Sequence, residues 1–212
     1  MERRIKLKVC GLKIEENLSK VVALAPDYIG FIFYEKSSRF VGNLSPEFAR
    51  SLPASIKRTG VFVNASSDFI KTKTIGYGLK AIQLHGTETP SFCEELKNIL
   101  PPQTELIKAF SMGDTFDFSS LSPYLPCCDF FLFDTKGKHP GGNGVIFDWS
   151  LLKEYPYDKP FFLSGGIGLE HAGSIKEISL PQIHAVDINS KFEIAPGLKN
   201  IEDLAQFDKV LY

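Results

Sequence analysis

Charge of one sign is the first thing this sequence lacks. Its 212 residues hold 24 Lys and Arg against 25 Asp and Glu, a formal net charge of -1. That balance leaves no electrostatic footprint for nucleic acid or for an acidic membrane surface. Long apolar runs are missing too, and none approaches the roughly 20 residues that span a bilayer. The stretch from Met1 to Lys6 has neither the apolar core nor the small-residue cleavage site of a signal peptide, so a cytoplasmic protein is expected. Cysteine is sparse. Cys10, Cys93, Cys127 and Cys128 show no zinc spacing, and free thiols are expected, the last three as small buried apolar side chains. No linker, charge block or low-complexity tract marks a boundary, so residues 1–212 are read as one domain.

What is present is a regular alternation. Apolar or β-branched runs occur at 5–9, 28–33, 58–63, 81–84, 105–109, 130–133, 160–163 and 185–188. They lack clean two-residue alternation, as expected for parallel strands covered on both faces. Helix signals lie between them. Ser45 precedes Pro46, Pro90 opens an apolar-periodic stretch, and further starts follow Gly168 and Asn200. The span 112–125, rich in Ser, Asp and Pro, carries the weakest helix signal. Eight such units predict a single-domain α/β protein, a (β/α)8 or TIM barrel. A doubly wound open sheet would need fewer strands, and Cys10-Gly11-Leu12 after the first run is no Gly-x-Gly-x-x-Gly fingerprint.

In a barrel the working rim is the C-terminal end of the strands. The residues delivered there include Cys10, Arg39, His85, Asp134, Asp187, Asn189 and Ser190. Three glycine-rich stretches share the rim: Gly141-Gly142-Asn143-Gly144, Ser164-Gly165-Gly166 and Ala195-Pro196-Gly197. Glycine lets backbone N–H groups converge on an anion, although tight turns use the same residues. Two of these loops, following the sixth and seventh strands and joined by Asn189 and Ser190 after the eighth, fit the phosphate site barrels build there. The expected ligand is a small phosphate ester. By themselves, Cys10 reads first as a core thiol and Asp134 as a helix cap or ion-pair partner.

Together these segments resemble a family. Lys8-Val9-Cys10-Gly11, Ser37-Ser38-Arg39-Phe40-Val41, Gln83-Leu84-His85-Gly86, Phe133-Asp134, Leu163-Ser164-Gly165-Gly166 and Asp187 with Ser190 look like signatures of phosphoribosylanthranilate isomerase. The matches are collinear from Lys8 to Lys199. The resemblance implies a rearrangement that uses no metal and no organic cofactor. It implies Asp134 as general acid and Cys10 as general base, and Arg39 as the group that holds the anthranilate carboxylate. It places His85 and Asp187 against the substrate, and Gly142, Asn143, Gly144, Gly165, Gly166, Asn189 and Ser190 around its phosphate. Ser38, Asn143 and Lys191 depart from the usual pattern, and Lys191 bears on the phosphate loop after the eighth strand. The alternatives are a non-catalytic phosphosugar-binding barrel, or another phosphate-barrel isomerase or synthase of tryptophan or histidine biosynthesis. A monomer is the simplest expectation, with a homodimer left open.

Overall fold

Eight parallel strands close into a barrel in chain order in the computed structural model, which describes residues 5–135 and 146–212. They are β1 (Lys6–Val9), β2 (Tyr28–Ile32), β3 (Lys57–Phe62), β4 (Ala81–Leu84), β5 (Glu105–Met112), β6 (Phe130–Thr135), β7 (Phe161–Leu163) and β8 (Ile183–Ile188). Closure comes where β1 pairs with β8, setting Lys8 beside Asp187 and Val9 beside Ile188. Each predicted strand is present. The largest difference is β5, predicted to stop at residue 109, which stays paired with β6 as far as Met112 and Thr135.

The two-residue period sorts every strand into an inner and an outer face. Tyr28, Ala81, Ile107, Leu132, Phe162 and Ala185, from six strands, pack on one another inside the barrel. Leu7, Val9, Ile29 and Phe31 belong instead to the larger outer core, with helix residues such as Leu18 and Val21. Burying one such aliphatic or aromatic side chain contributes ~1.5–3 kcal/mol. The apolar inner layer therefore anchors the barrel, and polar side chains can be carried above it.

Between the strands run α1 (Glu15–Ala23), α2 (Pro46–Ser51), α3 (Ser67–Tyr77), α4 (Pro90–Ile99), α5 (Ala172–Glu177) and α6 (Ile201–Leu211). Ser45 and Thr89 cap α2 and α4, each accepting from a backbone N–H at 3.2 Å ahead of a proline in the first turn. Among the described residues, the connections after β5 and β6 contain 3-10 turns, Phe118–Tyr124 and Trp149–Glu154. In the first, Pro123 lacks the N–H that an α-helix would require, and Asp117 accepts from Ser119 N at 2.9 Å. Where this layer is thin, rings cover the sheet. Phe133 meets Phe161 at 5.0 Å and Tyr155 at 5.5 Å between centroids.

After β8 the chain forms a short 3-10 turn, Ser190–Phe192, and a two-stranded hairpin, β9 (Glu193–Ala195) and β10 (Leu198–Lys199). The glycine-rich stretch at Gly197, placed on the rim by sequence, is the turn of this hairpin, with a φ of +85°. The hairpin brings Glu193 and Lys199 side by side.

Candidate active site

A pocket opens at the C-terminal ends of the strands. It is a concave site that combines apolar side chains such as Ile32 and Val61 with a few convergent polar groups, the usual make-up of a small-molecule site. Cys10, His85, Asp134, Gly165, Asp187 and Ser190 all line it, as do Gly166 and Asn189. Eight residues singled out from sequence thus share one wall.

Backbone geometry places the thiol. Cys10 N donates to Ile188 O at 2.9 Å, extending the β1–β8 ladder by one residue and turning the side chain inward. Neighbouring Gly30 on β2 leaves the room, since a Cβ there would lie 2.6 Å from Cys10 Sγ. Gly11 has a φ of +80°, and a Cβ on it would meet Asn189 Oδ1 at 2.7 Å and Arg39 Cδ at 2.9 Å. Glycine at that position lets both side chains close beside the thiol.

Beneath the pocket lies a polar layer whose core is fully buried. Lys8, at 0% exposure, donates to Asp187 Oδ2 at 2.8 Å and to Gln83 Oε1 at 2.7 Å. Gln83 Nε2 lies 2.8 Å from His85 Nδ1, and His85 Nε2 lies 3.2 Å from Asp134 Oδ2. A continuous polar chain therefore runs from Asp187 through Lys8, Gln83 and His85 to Asp134. Asp187 Oδ1 is buried with no hydrogen-bond partner among the described residues. A buried acceptor left in this way is costly unless a ligand or water meets it.

A second cluster flanks the thiol. Lys199, also buried, donates to Asn189 Oδ1 at 2.7 Å and to Glu193 Oε1 at 2.8 Å. Arg39 grips the same carboxylate, with Nε 2.8 Å and one terminal nitrogen 2.8 Å from Glu193 Oε2. Burial opposes the Glu193 charge, but the Arg39 and Lys199 bonds outweigh it and hold this carboxyl below the usual range. Burial also pushes the Cys10 thiol up, and Asp187 adds to that push, while the ammonium groups of Lys8 and Lys199 pull it back. Burial tends to lower Lys8, yet Asp187 and the Cys10 sulfur hold it above its ordinary value. Lys8 is therefore a fixed positive charge.

Just after β7, Gly165 and Gly166 have φ of +93° and +65°. A Cβ on Gly165 would overlap Thr135 Oγ1 and its backbone nitrogen. Asn189 and Ser190 both line the pocket, and Asn189 spends its side-chain oxygen on Lys199. Lys191 is exposed. Gly142, Asn143 and Gly144 lie outside the described residues. The remaining thiols are remote from this wall. Cys93, Cys127 and Cys128 are buried, with their sulfurs within 4.8 Å of one another, and Cys127 Sγ faces Tyr124 O at 3.5 Å.

Sequence reading assigned no site role to Lys8, Gln83, Glu193 or Lys199. For the first two a signal existed. Lys8 stands two before Cys10 and Gln83 two before His85, so each shares the inward face of its strand. Glu193 and Lys199 meet only through the hairpin.

The chain was compared with known proteins. The family model described as N-(5'phosphoribosyl)anthranilate (PRA) isomerase matches residues 7–210. The N-(5'-phosphoribosyl)anthranilate isomerase of Parabacteroides distasonis is 43% identical over 203 residues, covering 95% of this chain and 90% of that one. Its counterpart in Phocaeicola vulgatus is 40% identical over 194 residues, covering 92% and 91%. The crystal structure of phosphoribosyl anthranilate isomerase from Thermotoga maritima superposes with a TM-score of 0.83 at 32% identity, over 98% of both chains. A further structure of such an isomerase, in complex with reduced 1-(o-carboxyphenylamino)-1-deoxyribulose 5-phosphate, gives 0.80 at 31% identity over 98% of both. With a closed eight-stranded barrel and a family match along nearly all its length, this chain belongs to the N-(5'-phosphoribosyl)anthranilate isomerase family.

Proposed function

We propose that this protein converts N-(5'-phosphoribosyl)anthranilate to 1-(2-carboxyphenylamino)-1-deoxyribulose 5-phosphate, the Amadori rearrangement of tryptophan biosynthesis. Asp134 serves as general acid and Cys10 as general base. The observation that carries the reading is their shared pocket. A thiol and a carboxyl reach one cavity from β1 and β6, three strands apart around a closed barrel, in a chain of this family.

The chemistry accounts for the residue types. Asp134 gives its proton to the furanose ring oxygen as the C1–O bond breaks, and the anilino nitrogen lone pair forms a Schiff base. The Cys10 thiolate then takes the proton from C2, and the released electron pair neutralises the iminium to give an enolamine. Tautomerisation of the enol yields the ketone. A thiol pushed up by burial supplies little thiolate, but that thiolate is a stronger base, and the two ammonium groups favour its formation beside the substrate.

The binding roles extend the same reading. Arg39 uses Nε and one terminal nitrogen on Glu193, and its other terminal nitrogen carries two donors for the anthranilate carboxylate. Asp187 Oδ1, partnerless in the described structure, accepts a substrate hydroxyl. Gly165, Gly166, Asn189 and Ser190, with Gly142, Asn143 and Gly144, hold the phosphate.

The test follows the loss of fluorescence of freshly generated phosphoribosylanthranilate with purified protein. Turnover is expected in the wild type, with a fall in kcat of at least roughly 10²-fold in both Cys10→Ala and Asp134→Asn. Near-normal turnover in either variant removes that residue's role. No turnover in the wild type, with phosphate analogues still bound, overturns the enzymatic reading.

A further inference from the structure

His85 raises a question that the acid–base pair leaves open. A histidine 3.2 Å from an aspartate can itself take the proton that the pair holds. If it did, Asp134 would be a carboxylate facing an imidazolium, with no proton of its own to give. The buried layer beneath decides between these states.

Lys8 fixes the first link. Its ammonium has three donors and no acceptor, and Asp187 Oδ2 at 2.8 Å anchors it. The Gln83 atom 2.7 Å from Lys8 Nζ must then be the amide oxygen, because an amide NH2 there would set donor against donor. That assignment turns the Gln83 NH2 toward His85 Nδ1 at 2.8 Å. Nδ1 is consequently an acceptor without a proton. The one remaining ring proton sits on Nε2 and is donated to Asp134 Oδ2. Forming the imidazolium would place an N–H on Nδ1 against the Gln83 NH2, and flipping the amide would place that NH2 against Lys8.

We propose that Lys8 and Gln83 act as a tautomer lock. They keep His85 a neutral imidazole protonated on Nε2, so that a proton taken up by the His85–Asp134 pair resides on Asp134. Lys8 and Gln83 are positioning residues. They touch neither the ring oxygen nor C2, and they act through His85. Among the described residues, the other charged and titratable groups that face His85 are Asp134 from β6, Asp187 from β8 and Cys10 with Lys8 from β1. The Asp187 charge is met by Lys8 within 2.8 Å, so the carboxylate that presses on the ring most directly is Asp134. With Oδ2 occupied by the Nε2 proton, the other Asp134 oxygen carries the transferable proton. Once that proton has left, the same Nε2–H stabilises the carboxylate.

This inference rests on the proposed acid role of Asp134, and its experiment separates the two. Long-range ¹H–¹⁵N NMR of the full chain reads the tautomer and charge of each of the 4 histidines, with His85 assigned by its absence in His85→Asn. In the wild type the neutral ring of His85 is expected as the Nε2–H tautomer, with Nδ1 free of a proton. In Gln83→Glu a carboxylate faces Nδ1, and His85 is expected to become an imidazolium near neutral pH. Its kcat should fall at least roughly tenfold and KM change less, because the proton moves from Asp134 to the ring. A wild-type His85 whose neutral ring carries its proton on Nδ1 overturns the lock whatever the turnover. A folded Gln83→Glu with wild-type His85 signals also overturns it. Should Asp134→Asn retain turnover while His85 shows the locked tautomer, the acid role fails and the lock stands.

Discussion

Replacing Lys8 by Met removes the ammonium from a layer with no solvent to substitute for it. The Lys8 and Asp187 side chains are 0% and 5% exposed, and they meet at 2.8 Å. Methionine fills much the same length, so the loss is chiefly that of charge. Asp187 is then a buried carboxylate without a counter-ion, and breaking one side of such a pair costs ~3–5 kcal/mol. The carboxylate has one escape, which is to take up a proton. From an ordinary Asp pKa near 3.9 that costs about 4 kcal/mol at pH 7 and about 1.5 kcal/mol at pH 5, at 1.36 kcal/mol per unit. Between these pH values the folded variant holds one proton more than its unfolded chain, so its stability rises as pH falls, relative to the wild type. For a chain of this size each kcal/mol moves Tm by about 2–4 °C. Thermal unfolding at pH 7 should show Lys8→Met lower by roughly 8–16 °C, and the gap should close to roughly 3–6 °C at pH 5. Replacing both partners, as Lys8→Met with Asp187→Leu, should recover much of the loss. A Lys8→Met protein with unchanged Tm at pH 7, or a gap that widens on acidification, would refute the assignment of Lys8 as counter-ion to Asp187.

Gly30→Ala should fold yet turn over poorly. Its Cβ would stand 2.6 Å from Cys10 Sγ and 3.0 Å from Cys10 Cα, so the thiol must move. A shift on the order of 1 Å can cost about 10²-fold. A loss of 10–10²-fold in kcat is therefore expected in stopped assays on folded protein, and wild-type kcat would show that the thiol position is not critical. Glu193→Gln tests the second cluster through pH. The Glu193 carboxyl is held low in the fold, so its stabilisation is present above the unfolded carboxylate value near 4.3 and is lost as pH falls through the folded value. The variant should unfold several degrees earlier at pH 7 and converge on the wild type as pH falls through that lowered value. A difference in Tm that is constant with pH would contradict the Arg39–Glu193–Lys199 account.

The rim was legible in the sequence because it is written in local code. Strands that carry Asp134 or Asp187 one residue before their end, or Cys10 just past it, deliver those side chains to one rim, since a parallel barrel points all its strand ends the same way. Helix starts at Ser45, Pro90 and Asn200 were equally readable, because a cap is a contact between near neighbours. The stretch after β5 was less so. Asp117 and Pro123 turn it into a 3-10 segment, and ring packing decides how it covers the sheet. The role of Arg39 likewise reads differently with its partner in view. The sequence offers a guanidinium for a substrate carboxylate, and the fold shows it first held by Glu193, which lies 154 residues away.

By itself, then, the sequence determined the number and order of the strands, the rim that carries the candidate site and the side chains delivered there. These are properties of spacing along one chain segment at a time. Only the tertiary structure decided which charges meet. Lys8 finds Asp187 across 179 residues because closing the barrel pairs β1 with β8, and it finds Gln83 because both point inward at the same level. No periodicity encodes that contact. It follows from closure, which turns two distant strand ends into neighbours and sets the buried ammonium of Lys8 against the carboxylate of Asp187.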